Sequence, residues 1–234
     1  HLQHTPYGLS ELKTLNSQLV EKVNTCKQQL VLGKSTYPDN DALFSRTIHS
    51  YHLATLKYPY LYYRQPALKS SLWGWLGNYW GITGYYNPFT GEAQLNTSVP
   101  KFLLPYAACH EVAHQLGYAK EKEANFVAYL VAKESGDSLL LYSTYFDLFL
   151  YANRNLSMID SVSSRQYRDS LSISVKDDIA TLVAFNRKHR NFMEPVISAL
   201  YDWFLKSNNQ PQGMMSYDEV TELLISYEKK YGDL

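Results

Sequence analysis

The stretch Cys109-His110-Glu111-Val112-Ala113-His114-Gln115-Leu116-Gly117-Tyr118-Ala119-Lys120-Glu121-Lys122-Glu123-Ala124-Asn125 decides how the chain is read. Side chains four apart on a helix lie on one face, so the imidazoles of His110 and His114 can close on a single metal ion. Glu111 then stands beside that ion and not on it. A carboxylate in that place can take a proton from a water on the metal, which is why the H-E-x-x-H pattern supports metal-assisted hydrolysis. If these were two surface histidines and a salt-bridging Glu, the flanking residues would be charged. They are apolar instead: Phe102-Leu103-Leu104-Pro105-Tyr106-Ala107-Ala108 leads in, with Pro105 suited to a helix start.

Gly117 is a natural helix C-cap that turns the chain back. A second helical pattern opens at Glu121 and runs through Ala124, Val127, Ala128, Leu130 and Val131. Such a turn can return Glu121 to the metal, with Glu123 as the alternative ligand.

H-E-x-x-H followed by Glu121-Lys122-Glu123-Ala124-Asn125-Phe126-Val127-Ala128 resembles the zincin metallopeptidases, specifically their gluzincin pattern E-x-x-A-[ND]-x-x-A. The resemblance implies Zn2+ held by His110, His114 and the Glu four residues before the Asp or Asn, which selects Glu121 over Glu123. It also implies an Asp that hydrogen-bonds a ligand histidine from behind. Asn125 stands there, an amide able to accept the N–H but without charge. The spacing from His114 to Glu121 is shorter than in thermolysin-like members. By the same resemblance the strand Gly91 to Asn96, or its partner, lies along a substrate groove. Tyr86, or Tyr85, is there a candidate hydrogen-bond donor to an oxyanion.

A closer resemblance is to an uncharacterised family of bacterial membrane-anchored proteins with a domain-of-unknown-function label. It is carried by Gly84-Tyr85-Tyr86-Asn87-Pro88-Phe89-Thr90-Gly91-Glu92-Ala93-Gln94-Leu95-Asn96, by Cys109 to Gly117, and by Gln212-Gly213 through Ser216-Tyr217. It implies a zincin-like fold, a transmembrane anchor upstream of this segment, and a place on the extracytoplasmic side of a bacterial membrane. It implies no substrate.

The 234 residues suffice for one domain with a proper core. Lys plus Arg and Asp plus Glu are both 22, and no basic run offers a footprint for nucleic acid. Cys26 and Cys109 make no disulfide framework, and Cys109 reads as a small buried residue. No stretch of apolar residues is long enough to span a membrane, so the segment reads as soluble. It starts at His1, as a piece cut from a longer protein would.

Leu12, Leu15, Leu19, Val23, Cys26 and Leu30 step by three and four, which predicts an amphipathic helix with Ser10 as N-cap. After a turn at Tyr37-Pro38-Asp39-Asn40, Asp41 caps a second helix through Leu43, Phe44, Ile48, Tyr51 and Leu56, on which His49 and His52 read as non-ligands. From Tyr58 to Phe89, aromatic residues alternate with Gly, which argues for short strands and loops. Asn87-Pro88-Phe89-Thr90-Gly91 joins the strands of a hairpin. Gly136 ends the helix after Lys133, and Asp137 or Ser138 caps a long apolar helix reaching Asn153. Ser157 to Ser174 reads as a loop or short exposed helix. Helices over 175–189, 195–206 and 217–231 follow, with a loop at 207–213. His189, Arg190, Tyr201 and Tyr217 are the residue types for an extra proton donor.

The reading is one domain, 1–234, with an α+β, mainly α, zincin-like fold. N-terminal helices occupy 1–57, a small antiparallel β-hairpin or sheet and the active-site helices 58–136, and a helical part 137–234. The expected function is a zinc-dependent metallohydrolase cleaving a peptide or protein substrate, with Glu111 as general base. No nucleic acid is expected, and the membrane is met only through the anchor. The alternative is a catalytically inactive sensor or peptide-binding domain of the bacterial envelope. A third option, glycan binding, requires a flat exposed platform in the Tyr/Trp-rich stretch.

Overall fold

The apolar positions Leu12, Leu15, Leu19, Val23, Cys26 and Leu30 are all buried along helix α1 (Leu9–Leu32). The computed structural model describes residues 7–190, 218–232 and 234. The expected helix 195–206, the loop 207–213, Tyr201, Tyr217 and the Gln212 to Tyr217 match lie outside the described residues. At the start of α1 the cap is Gly8, not Ser10, because the Glu11 carboxylate reaches back to accept the Gly8 N–H at 2.6 Å. In α2 (Asn40–Thr55) the cap is Asp39, not Asp41. Its carboxylate accepts the Ala42 N–H at 2.8 Å. Leu56 lies past the last turn and is 84% exposed, so it leaves the core face that Leu43, Tyr51 and Ala54 supply.

The aromatic stretch contains strands, as expected, but also helical turns. A 3-10 turn (Pro59–Leu61) precedes β1 (Leu68–Ser70), and a single helical turn α3 (Gly74–Gly77) runs into a 3-10 turn at Asn78–Trp80. β2 (Gly84–Asn87) and β3 (Glu92–Leu95) form the expected antiparallel hairpin, closed by Asn87 to Gly91 with φ +70° at Gly91. β1 joins the other edge of β3 in parallel, so the sheet is mixed, in the order β1-β3-β2, and not purely antiparallel. The helical turns between β1 and β2 supply the longer connection that parallel pairing needs.

The rest is helical: α4 (Leu104–Gln115), α5 (Glu121–Ser135), α6 (Ser138–Ile159), α7 (Ser161–Asp169), α8 (Ile173–His189) and α9 (Asp218–Tyr231). Gly136, with φ +63°, ends α5 as expected, and Asp137 caps α6 by accepting the Leu139 and Leu140 N–H groups. α6 continues past Asn153 because Leu156 extends its buried stripe. Much of Ser157 to Ser174 is helical, with α7 capped by Asp160 and α8 by Ser172. α4 is central: it packs on α5 and α6 on one side and on β2 and β3 on the other, while α1 lies along α6.

A buried amide pair ties α1, α6 and α7 together. Asn16 donates to the carbonyls of Leu12 and Ala152, and Asn153 donates to Asn16 Oδ1 and the Ser164 carbonyl. Both cysteines are free and buried. No helix of the described residues is long and apolar enough to cross a membrane.

Two stability tests follow from this packing. Leu19→Ala should cost about 2–5 kcal/mol in urea unfolding. Leu56→Ala should stay within about 0.5 kcal/mol, although both residues read as core-facing in the sequence. Asp147 interrupts apolar α6, and burial pushes its carboxyl up to about 7. The folded state therefore keeps a proton that the unfolded chain releases near pH about 4. Stability contributed at this site falls as pH rises from about 4 to about 7 and stays low above that. Asp147→Asn should thus exceed the parent in stability at pH about 8 and match it near pH about 3.5; an equal difference at both would refute the assignment.

Candidate metal centre

α4 is built to enter the core. Pro105 sits in its first turn, the Tyr106 N–H is satisfied by Ser143 Oγ at 3.0 Å, and Ala107, Ala108, Cys109, Val112 and Ala113 are buried. Cys109 precedes His110 but faces the core. Its carbonyl accepts the Tyr51 hydroxyl at 2.7 Å, and burial pushes its thiol pKa up.

At its other end the helix closes by a Schellman motif: the Gly117 N–H donates to the His114 carbonyl and the Tyr118 N–H to the Ala113 carbonyl. Gly117 has φ +100°, as the reversal demands. The turn presents the Tyr118 carbonyl to His114 Nδ1 at 2.7 Å. A carbonyl only accepts, so Nδ1 carries the proton and a neutral ring keeps its Nε2 lone pair.

The reversed chain places Glu121 in the first turn of α5, where a helix N-terminus favours a carboxylate. Glu121 Oε2 lies 3.2 Å from His110 Nε2, and Oε1 lies 3.6 Å from His114 Nε2. The two Nε2 atoms are 3.0 Å apart, with the rings nearly perpendicular. His110, His114 and Glu121 thus offer donor atoms all within 4.8 Å of one another, a group able to hold a metal ion. Glu123, the alternative, faces Lys120 at 3.7 Å and is not part of the group.

The electrostatics separate the two carboxylates of the site. Burial raises Glu121, but hydrogen bonds and charge from His110 and His114 outweigh it and hold the carboxyl well below the usual range. Burial likewise lowers His114, yet Glu121 and Glu111 push it up to about 9. Glu111 is only 3% exposed, and burial, partly offset by the two histidines, pushes its carboxyl up to about 7. A site that pulls a proton onto an imidazole so firmly also favours a cation.

Three residues that the sequence reading passed over support the centre. Gly84 opens β2, and a Cβ built there would lie 2.5 Å from Glu111 Cγ and 2.7 Å from its Oε1. Only glycine lets the strand approach the carboxylate so closely. Its place within a strand, away from the turn, was the available signal. Gln115 donates to the Gly91 carbonyl at 2.7 Å and accepts the Tyr63 hydroxyl, latching α4 to the hairpin turn. Tyr106, one turn before His110, donates to Asn125 Oδ1 at 2.8 Å. That contact replaces the expected one: Asn125 serves Tyr106 and not a ligand histidine, and His110 Nδ1 is buried without a partner.

Of the aromatic candidates, Tyr85 points away from α4 and bonds Gln94 and Ser71. Tyr86 alternates onto the face of Gly84, opposite buried Ala93. His189 packs on Tyr79 and Phe185 at the end of α8, with Nδ1 on the Phe185 carbonyl, and Arg190 is the C-cap of that helix. His49 and His52 are exposed.

A family model described as protein of unknown function (DUF3810) matches residues 1–225. The chain belongs to that family. No curated protein and no solved structure matches it.

Gly84→Ala should destabilise the protein by about 1–3 kcal/mol through overpacking. In a Glu111→Ala background the same change should be nearly neutral, because the clashing group is gone. Additive costs in a double-mutant cycle would refute the close approach.

Proposed function

We propose that this chain is a zinc-dependent metallohydrolase of zincin-like architecture acting on peptide bonds, with His110, His114 and Glu121 as ligands and Glu111 as general base. The observation that carries the reading is the convergence of two imidazole nitrogens and a carboxylate beside a buried carboxyl held near neutrality. Two nitrogens and one carboxylate suit a catalytic zinc better than a closed structural one. A zinc ion there supplies Lewis acidity and makes water a stronger nucleophile near neutral pH.

Glu111 does the proton work. A carboxyl near 7 both accepts a proton and returns it to a departing amine at small cost. Gly84 sets how closely β2 approaches that carboxylate, and Tyr86 on the same face is the candidate donor to a developing oxyanion. β2 is an edge strand of the sheet, which suits an extended peptide or protein substrate adding alongside it. In this reading the domain works on the extracytoplasmic side of a bacterial membrane, held by an anchor upstream.

The reading in which the centre binds without cleaving draws on Asn125, which gives the ligand imidazoles no carboxylate support. The two are separated by metal analysis and assay together. Purified protein should carry one zinc per chain, lost in His114→Ala and Glu121→Ala. Glu111→Gln should keep the zinc and lose about 10²–10⁴-fold in peptide-library hydrolysis. Zinc kept by the parent and by Glu111→Gln without any hydrolysis would favour the binding domain, and no zinc uptake would remove the hydrolase reading and leave the binding domain.

A further inference from the structure

Between Lys69 and Glu92 the sequence contains no Asp, Glu, Lys, Arg or His, and those two bounding charges are paired with each other. Trp73, Trp75 and Trp80, three of the four tryptophans, fall inside this stretch. In the fold Leu72 is 87% exposed, Trp73 66%, Trp75 54% and Trp80 51%. Single exposed apolar residues are ordinary, but such a concentration marks an interaction surface.

The surface is held firmly from behind. Asn96 donates to Asn78 Oδ1 at 2.7 Å and to the Ile82 carbonyl at 3.0 Å. A Cβ on Gly74 would sit 3.0 Å from Asn96 Cα, and one on Gly77 would sit 3.0 Å from the Ile82 carbonyl oxygen. The backbone of α3 and the following 3-10 turn thus has no room to sink, and its indoles stay outside.

We propose that this aromatic face docks the folded domain onto a lipid bilayer, with its rings at the boundary between headgroups and hydrocarbon. The inventory of polar groups selects this occupant. Asn78 is spent on Asn96 and Ser98, and the Asn87 oxygen accepts the Phe89 N–H. A glycan needs outward amides or acids for its hydroxyls, and a protein partner needs a polar, charged rim around the rings. Here the exposed rings offer carbon with the indole N–H groups of the tryptophans and the phenol tips of Tyr79, Tyr85 and Tyr86, the combination that settles at a membrane interface. The stretch itself carries no charge, so its rings need no anionic lipid, while the end of α8 that packs on Tyr79 through His189 brings Arg187, Lys188 and Arg190 beside it and adds an attraction to anionic headgroups. β2 follows this face directly, so docking holds Glu111 close to the bilayer whether or not the centre is catalytic.

The test is flotation of the whole chain with phosphatidylcholine vesicles, with and without phosphatidylserine. The parent should partition onto phosphatidylcholine alone, and phosphatidylserine should strengthen this through the basic end of α8. The combined Trp73→Ala, Trp75→Ala and Trp80→Ala variant should lose about tenfold or more. Leu72→Glu, a change at a side chain with no packing role, should weaken partition in the same direction and covers the case in which the triple variant misfolds by circular dichroism. In a Trp203→Phe background, lipids brominated high in the acyl chain should quench the remaining tryptophans. Absence of partition, partition unchanged in folded variants, or binding confined to anionic vesicles would each overturn the proposal. So would tryptophan-dependent retention on a polysaccharide or protein resin without vesicle binding.

Discussion

His114 donates a hydrogen bond from Nδ1–H to the carbonyl of Tyr118, and that bond exists only if the chain reverses at once after α4. Gly117 makes the reversal possible, in a backbone region that costs other residues about 1–2 kcal/mol. One turn thereby closes the helix, orients one imidazole and delivers Glu121 to both. A longer link would separate these tasks. The short spacing between the second His and the acid is thus what joins the helix end to the His110, His114 and Glu121 group.

Around that turn, the protein keeps several ionisable groups inside an apolar shell of Ala107, Ala108, Ala113, Val112 and Ala124. Burying charge costs several kcal/mol per ion unless partners compensate. Glu121 has its partners in the two imidazoles, while Glu111 faces Gly84 and the strand. Two carboxylates on neighbouring helices are therefore driven in opposite directions, one held charged and the other able to take a proton near neutrality.

Much of this was legible in the chain. The three-and-four spacing of α1, the break at Gly136, the hairpin at Asn87 to Gly91 and the pairing of His110 with His114 all rest on local periodicity or turn chemistry, while the preference for Glu121 over Glu123 comes from the resemblance to the gluzincin pattern. Caps misread by two residues, at Ser10 and Asp41, reflect competing Ser and Asp side chains near a helix start, among which only backbone geometry decides. Non-local facts were out of reach. The parallel pairing of β1 depends on where a long connection lands, and the Tyr106–Asn125 bond depends on how α4 and α5 meet. The demand on Gly84 comes from a side chain that is remote in sequence and adjacent in space.

Cys109 stands next to His110, and a thiolate is a softer and more avid ligand than imidazole for many metals. Its carbonyl is held by Tyr51 and its thiol is turned into the core, where burial keeps it protonated. Cys26 is buried as well, and neither forms a disulfide. A protonated thiol is a poor nucleophile and resists oxidation. Neither cysteine, as placed, competes with the two imidazoles and the carboxylate that gather at the end of α4.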